Sequence, residues 1–328
     1  MKRILLTGAT GFVGSHALAP LVADNGAVRA VVRPASRTGA LERRGIELVR
    51  GSLLDDALLA RAMAGIDVVI HLAALTHAPS EAAFVETNVE ATRRLVRAAR
   101  EADPPPRRFV FMSSLAAVGP GREDRPVHPD DPPRPITAYG RSKRDAERVC
   151  LDANDAFEVT VLRAPAVYGP RDREILRFFR FARTGFVPLP AGPPRPLQLV
   201  HAGDLARAIA LVATRPGVSG TFHIAEPVVY DMHAVARLIG DAMGRSVRVL
   251  PVPAPLIGAI ALGAEIANRA AGRTSLLNRD KVRELLAPGW VCETGAAREA
   301  FGFEARIALP DGLRETAVWY RENGWLRG

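Results

Sequence analysis

The sequence predicts an α/β fold, in which a doubly wound parallel sheet is accompanied by a smaller, mainly helical C-terminal domain. In the first half of the 328-residue chain, short apolar runs alternate with segments of helical spacing. This alternation is typical of parallel strands joined by right-handed crossovers. A glycine-rich turn joins the first predicted strand directly to the first predicted helix. After Tyr168 the alternation becomes irregular and helical patterns dominate.

The predicted elements follow in order along the chain. Strand-like apolar runs lie near 3–7, 28–32, 46–50, 67–71, 108–113 and 158–163. Asn88 starts a helical segment from Val89 to Arg100, which the prolines at 104–106 separate from the next strand. Later helices are expected near 172–183, 203–214, 231–243, 253–270, 278–286 and 309–323. This pattern predicts a sheet domain at 1–165, to which segments near 197–224 return, and an intercalated, mainly helical domain at 166–328.

Composition excludes several classes of protein. Hydrophobic residues make up 48% and charged residues 24% of the chain, as in an ordinary globular protein. The formal charge of +9 comes from arginines that are spread along the chain, so we expect no nucleic-acid partner. Two cysteines provide no disulfide framework, no signal peptide is visible, and no His/Cys/carboxylate group has metal-ligand spacing. We expect a cytoplasmic protein without a metal or an integral membrane segment.

The most informative stretch is Tyr139-Gly140-Arg141-Ser142-Lys143. Residues four apart on a helix lie one turn apart on the same face. An ammonium near a phenol favours the phenolate and therefore lowers the pKa of the tyrosine. Because the chain has only four tyrosines and three lysines, this spacing rarely arises by chance. The pair predicts proton exchange between Tyr139 and a carbonyl or alcohol.

A second motif lies at the N-terminus. The predicted first strand runs straight into Gly8-Ala9-Thr10-Gly11-Phe12-Val13-Gly14, which opens an apolar helix. Glycines at such a turn allow the backbone to approach a pyrophosphate, which then lies at the positive end of the helix dipole. The segment therefore predicts a nucleotide site.

A third motif, Ser113-Ser114, ends the apolar run from Arg108 to Met112. Ligands of open α/β sheets bind beyond the carboxyl ends of the strands, so these hydroxyls are expected at the cleft. The alternative is that one of these serines only bonds local backbone.

Together these motifs resemble the extended short-chain dehydrogenases/reductases, that is, the NAD-dependent epimerase/dehydratase family with its Rossmann sheet. In character the chain is most similar to the branch of dihydroflavonol reductases and 3β-hydroxysteroid dehydrogenases. The resemblance runs from the first strand nearly to the C-terminus. The matching motifs, in order, are Thr7 to Gly14, His71-Leu72-Ala73-Ala74, Asn88, Ser113-Ser114, Tyr139 with Lys143, and Arg163-Ala164-Pro165-Ala166-Val167-Tyr168-Gly169-Pro170.

The resemblance implies roles for the site residues. Tyr139 would be the general acid/base, Lys143 would hold the nicotinamide ribose and lower the phenol pKa, and Ser114 would bond the reacting oxygen. Asn88 would anchor the surroundings of Lys143, although a plain helix N-cap explains it equally well. His71 is expected to be a packed core residue. The other implied cofactor contacts are Gly8, Thr10, Gly11, Phe12, Val13, Gly14, Ser52, Leu53, Leu72, Ala73, Ala74, Thr76, Pro165 and Val167.

Cofactor choice depends on the end of the second strand. NAD enzymes usually carry an acidic residue there, whereas this chain has Arg33, followed by Ser36 and Arg37. Guanidinium groups suit a 2′-phosphate, which favours NADP over NAD. Gly51-Ser52-Leu53 replaces the family's usual Gly-Asp-Leu, so a serine stands where an aspartate normally contacts adenine; serine can still bond an amino group.

The leading hypothesis is an NADP-dependent oxidoreductase that interconverts a carbonyl compound and an alcohol, on a small, apolar substrate. The apolar segment 253–270, expected to be a core or substrate-lining helix, favours such a substrate, and Ala166 stands where many sugar-nucleotide enzymes carry asparagine. The alternatives are an NAD-dependent sugar-nucleotide epimerase/dehydratase and a non-catalytic nucleotide-binding scaffold or redox sensor. The expected assembly is a homodimer, and the candidate substrate contacts are Ser114, Tyr168, Arg171 and Phe178.

Overall fold

A computed structural model describes residues 2–23, 26–270 and 278–326, without the side chains of residues 269 and 270. Within these ranges a seven-stranded parallel sheet has the order β11-β6-β5-β4-β1-β2-β3. Its strands are β1 Arg3–Thr7, β2 Ala27–Val32, β3 Glu47–Arg50, β4 Val68–His71, β5 Arg108–Ser114, β6 Glu158–Ala164 and β11 Gly220–His223. The predicted doubly wound sheet is therefore confirmed, and each of the six predicted strands lies within one residue of its expected bounds.

Helices cover both faces of this sheet because alternate strand residues are apolar on each side. One face buries Leu18, Leu205 and Phe301 against the strands, and the opposite face buries Leu59 and Leu95. The helices are α1 Phe12–Ala23, α2 Gly39–Glu42, α3 Asp56–Met63, α4 Glu81–Phe84, α5 Ala91–Arg100, α6 Ala138–Leu151, α7 Leu176–Arg183, α8 Ala202–Thr214, α9 Met232–Ala242, α10 Ala254–Ala270, α11 Arg279–Leu286, α12 Gly295–Phe301 and α13 Leu309–Glu322.

The C-terminal half forms its own apolar cluster, in which Phe179, Leu313 and Tyr320 are fully buried. Short strand pairs connect its segments, and residues 202–223 return to the large sheet as α8 and β11. The extended segment 196–201 is divided into two strands at Gln198, whose side chain bonds the backbone of Glu226 and Cys292. The smaller strands are β7 Ala166–Tyr168, β8 Phe186–Pro190, β9 Pro196–Leu197, β10 Leu199–His201, β12 Tyr230–Asp231 and β13 Arg248–Val252.

Two sequence predictions about helices are wrong. The helical run expected from Val89 begins earlier, at Glu81, where the Ser80 hydroxyl accepts a hydrogen bond from the backbone of Ala83; it continues through a π-helical stretch, Val85–Glu90, into α5. The apolar helix α10 is not a core element, because much of its surface is exposed, whereas its predicted role in lining a substrate site stays a prediction. In the part of the chain that the structure describes, no helix has the length and hydropathy needed to cross a membrane.

Candidate active site

The glycine-rich turn lies at the carboxyl end of β1, beside the end of β4. Gly8 has a φ of 75°, a conformation that disfavours other residues. A Cβ atom at Gly14 would lie 2.1 Å from the Gly8 carbonyl oxygen, so α1 can leave the strand this closely only with glycine. Gly11 and Thr10 at the tip are exposed. This open turn at a helix N-terminus fits the pyrophosphate of a dinucleotide.

A buried hydrogen-bond chain holds β1 and β4 at the mouth of the crevice. The Thr7 hydroxyl lies 2.6 Å from His71 Nδ1, and His71 Nε2 lies 2.9 Å from the Thr92 hydroxyl. Burial, and then the charge of Lys143, lower the pKa of His71 to about 3, so its ring is neutral. His71 is thus the packed core residue predicted from the sequence. The next residues, Leu72, Ala73 and Ala74, are half-buried at the crevice.

Helix α6 carries the tyrosine and lysine. The Thr137 hydroxyl caps its N-terminus by accepting the Gly140 N–H at 3.0 Å. A Cβ at Gly140 would lie 2.3 Å from the Ala116 carbonyl oxygen, so the helix packs tightly on the short 3₁₀ turn that follows Ser114. This close packing places the Tyr139 phenol beside the half-buried Ser114 hydroxyl.

Lys143 is fully buried beneath the site. Its ammonium donates to the Met112 carbonyl oxygen at 2.5 Å and lies 4.1 Å from the centre of the Phe111 ring. Burial lowers the pKa of Lys143 to about 8, although Glu147 opposes the shift. The lysine is therefore mostly protonated at neutral pH and loses its proton in mildly alkaline solution.

The prediction that the phenol pKa is lowered is wrong for the protein as described. Burial raises the pKa of Tyr139 to about 12, and the neighbouring Ser114 hydroxyl only partly offsets this. The ring packs against Phe84, with centroids 6.0 Å apart. The free-energy cost of desolvating the phenolate exceeds any stabilisation of the phenolate by Lys143, because the Lys143 ammonium is bonded to a backbone carbonyl. Tyr139 is consequently a protonated group, ready to donate.

Asn88 lies inside a continuous helical run, so the N-cap explanation is wrong. Its amide nitrogen donates to the Leu75 carbonyl at 3.0 Å and to the Ser142 hydroxyl at 2.9 Å, and its amide oxygen accepts from the Leu75 N–H. The side chain therefore ties the segment after β4 to the helix that carries Tyr139 and Lys143. This contact agrees with the anchoring role that the resemblance implies.

The structure adds a buried ion pair that sequence reasoning missed. Glu147, one turn beyond Lys143, receives two hydrogen bonds from Arg163, at 2.9 and 2.8 Å, and one from the Ser113 hydroxyl. Arg163 also donates to the Pro129 carbonyl oxygen. Ser113 therefore serves the framework, and Ser114 is the serine that remains at the cleft. In the sequence, Glu147 looks like one more charge on a solvated helix face.

Helix α11 covers the front of the site, which the sequence did not indicate. Asp280 accepts the Ala138 N–H at 2.7 Å, and Glu284 lies near enough to Tyr139 to raise its pKa further. Lys281 bonds Glu284 at 3.0 Å. The pKa of His77 is lowered mainly by burial, and the charges of Lys281 and Glu284 also act on it, in opposite directions. The reacting end of the cleft is therefore polar and charged.

The four predicted substrate contacts do not lie together at one site in the structure. Tyr168 is packed in the C-terminal core with 1% exposure, against His201 and Gly312, and is not brought to the cleft. Arg171 is exposed and has a φ of 76°. It lies near His16 of α1: burial is the main cause that lowers the pKa of His16, and the charge of Arg171 lowers it further. Phe178 is half-buried against the same core. Of the four, Ser114 is the one placed beside Tyr139.

The other end of the crevice carries the predicted selectivity residues. Arg33 is exposed immediately after β2, and its carbonyl accepts the Ser36 N–H in a tight turn. Ser52, after β3, is exposed, and its hydroxyl accepts the Leu54 N–H at 3.1 Å. Both can meet the adenosine end of a dinucleotide that lies across the strand ends. The remaining predicted cofactor contacts, half-buried or exposed near the strand ends, are Phe12, Val13, Leu53, Thr76, Pro165 and Val167.

Comparison with known proteins identifies the family. A family model described as "NAD dependent epimerase/dehydratase family" matches residues 4–225. The chain belongs to this family. It is an NAD(P)-dependent enzyme of the extended short-chain dehydrogenase/reductase type, as the motifs predicted.

Several relatives of this family are similar along nearly the whole chain. The ceramide reductase of Caulobacter vibrioides is 30% identical, over 98% of this chain and 96% of that protein. The sterol demethylase protein B of Methylococcus capsulatus is 28% identical, over 98% of this chain and 99% of that protein. The solved structure of MoeE5 in complex with UDP-glucuronic acid and NAD is 26% identical, with a TM-score of 0.75 over 98% of this chain and 99% of that one.

Proposed function

We propose that the protein is an NADP-dependent oxidoreductase that interconverts a ketone or aldehyde and an alcohol on an apolar substrate. The observation that carries this proposal is the placement of the Ser114 and Tyr139 hydroxyls side by side, one helical turn from the buried Lys143 on α6. Two hydroxyls in such a position can bond one carbonyl oxygen between them.

The chain's own residues account for the proton and the orientation. Ser114 would bond the carbonyl oxygen, and Tyr139 would donate its proton to the same oxygen as the alcohol forms. The nicotinamide cofactor, when bound, supplies or accepts the hydride. A phenol pKa raised by burial to about 12 keeps Tyr139 in its acid form throughout the physiological range, which is the form that donates a proton.

An apolar substrate is supported by relatives and by the chain itself. The relatives named for ceramide and sterol chemistry are similar along nearly the whole chain, and Ala166 supplies no amide at the position where sugar-nucleotide enzymes often have one. The alternative function is that of a sugar-nucleotide epimerase/dehydratase. The similarity to MoeE5, whose structure was solved with UDP-glucuronic acid and NAD, supports this alternative.

Oxidation of NADPH with a panel of carbonyl compounds tests the proposal. We expect turnover with long-chain or polycyclic ketones and thermal stabilisation by these compounds in the presence of NADP. Stabilisation by UDP-sugars alone, together with NAD that is released only on denaturation, would support the epimerase instead. Nucleotide binding without any turnover would support the scaffold. The homodimer and the cytoplasmic location stay predictions.

The pH dependence of reduction should follow Lys143. Its pKa, lowered by burial to about 8, means that the ammonium is present below that pH and is lost above it. We therefore expect kcat/KM for NADPH to be constant below about pH 8 and to decrease at higher pH, because kcat/KM reports ionisations of the free enzyme. Circular dichroism at each pH controls for unfolding. A constant kcat/KM well above pH 8 would contradict this assignment.

Replacement of Arg33 by alanine should change cofactor preference. If the guanidinium meets the 2′-phosphate, Arg33→Ala weakens NADPH binding by roughly tenfold or more and leaves NADH binding nearly unchanged, because only NADPH carries that dianion. Isothermal titration calorimetry with both cofactors measures the difference. Arg44→Ala, at another exposed arginine, is the matched control. Equal losses for NADPH and NADH would show that Arg33 does not select the cofactor.

A further inference from the structure

Helix α10 presents an entirely apolar face to solvent. Its large exposed side chains are Leu256 at 51%, Ile260 at 51%, Leu262 at 39% and Ile266 at 62% exposure. The other exposed positions between 255 and 267 are Pro255, Ala259, Gly263 and Ala267. A surface helix of a globular protein normally turns polar side chains outward. We call these eight residues the α10 face.

The rest of the helix is held by the protein. Ile257 and Ala261 point inward and are buried, and Glu265 is half-buried rather than part of the α10 face. The helix packs against α11, and β13 leads into it through Pro253. The protein therefore anchors one side of α10 and leaves the α10 face without a partner among the described residues.

The exposed charged residues of α11, the helix that packs against α10, are arginines. On α11, Asp280 and Glu284 are largely buried, with side-chain exposures of 25% and 22%, and are turned towards the Ala138 backbone and the Tyr139 phenol. Arg279 and Arg283 on the same helix are exposed, and Arg283 donates a hydrogen bond to Asp280 at 2.9 Å. The carboxylates are thus largely covered, each shared between the site and a cation of α11, and the exposed charges that flank the α10 face are guanidinium groups.

We infer that the α10 face lies in the interface of an anionic lipid bilayer. An apolar helix face flanked by cationic side chains is the pattern of helices that lie in the membrane plane. Arginines next to the apolar surface are attracted by anionic headgroups. A second copy of the chain is a poorer occupant, because a symmetric contact would bring like-charged rims together.

The same geometry places the lipid surface close to the chemistry. Helix α11 packs against α10 on one side and meets the N-terminus of the catalytic helix α6 on the other, through Asp280 and Ala138. A substrate that leaves the acyl region of the bilayer at α10 is therefore separated from Tyr139 by a single helix, α11. The docking itself does not depend on which substrate is reduced.

Flotation with lipid vesicles tests the inference on the full-length protein. The probes are vesicles of phosphatidylcholine alone and of phosphatidylcholine with phosphatidylglycerol. We expect binding to the mixed vesicles, and at least about tenfold weaker binding for Ile260→Gln/Ile266→Gln, because two apolar side chains are lost from the buried area. Val228→Gln/Val318→Gln removes two exposed valines elsewhere and should bind as the wild type does. Added salt should weaken binding to the mixed vesicles.

Two further outcomes would overturn the inference. If the wild-type protein does not float with the mixed vesicles, the α10 face does not bind lipid. If light scattering without vesicles shows that only the Ile260→Gln/Ile266→Gln variant changes from dimer to monomer, the α10 face is a contact between two copies. Because neither measurement uses turnover, each outcome is independent of the proposed reductase activity.

Discussion

Replacement of Tyr139 by phenylalanine should reduce carbonyl reduction at least about 100-fold while folding and NADPH affinity stay nearly unchanged. A positioned acid contributes about 10²–10⁴ to the rate, and the variant lacks the proton donor. The phenyl ring still fills the space against Phe84. Steady-state kinetics, a thermal melt and a calorimetric titration with NADPH separate the three effects.

Tyr230→Phe is the matched control for this variant. The Tyr230 hydroxyl donates to Glu226 at 2.9 Å, away from the residues assigned to the reaction. Its removal should leave kcat within about a factor of three, since no transition-state interaction is lost. If Tyr139→Phe retains more than about a tenth of the wild-type rate, the acid/base assignment is wrong.

Replacement of Glu147 by alanine should destabilise the protein by about 3–5 kcal/mol, because it leaves the Arg163 guanidinium buried and unpaired. Both partners are nearly inaccessible, with side-chain exposures of 3% and 5%. The Ser113 hydroxyl loses its acceptor as well. Urea unfolding followed by circular dichroism measures the change in the free energy of unfolding.

Two further variants control for this prediction. Glu81→Ala removes one partner of the exposed pair with Arg141 and should cost less than about 1 kcal/mol. Glu147→Ala/Arg163→Met removes both buried charges and should recover part of the loss. Equal costs for Glu147→Ala and Glu81→Ala would contradict the buried network.

Much of the fold was predictable because its signals are local. In a sequence, a buried parallel strand is recognised as a short apolar run, and a glycine-rich turn between a strand and a helix is recognised from its spacing, without knowledge of any tertiary contact. The strands from Arg3 to Ala164 therefore lie where the pattern indicates. The Tyr139 and Lys143 pair is local too, since helical spacing alone places the two residues on one face.

Helix boundaries and single-residue roles were less predictable. Asn88 followed by an apolar helical segment has the local pattern of an N-cap, and only its hydrogen bonds to Leu75 and Ser142 reveal a different role. Glu147 lies in a charged stretch of α6 that resembles a solvated face. Its partner Arg163 is on a strand 16 residues further along, and no local pattern joins the two.

The sequence by itself determined the class of fold, and it predicts the nucleotide turn and the serine, tyrosine and lysine that we assign to the reaction. Only the tertiary structure decided the ionisation of these groups and the surroundings of α10. A pKa depends on how completely remote segments exclude water, so the same spacing that predicts a lowered phenol pKa coexists with burial that raises it to about 12. In the same way, the sequence alone shows that the side chains of α10 are apolar, but whether they are buried or exposed depends on which other elements pack against the helix.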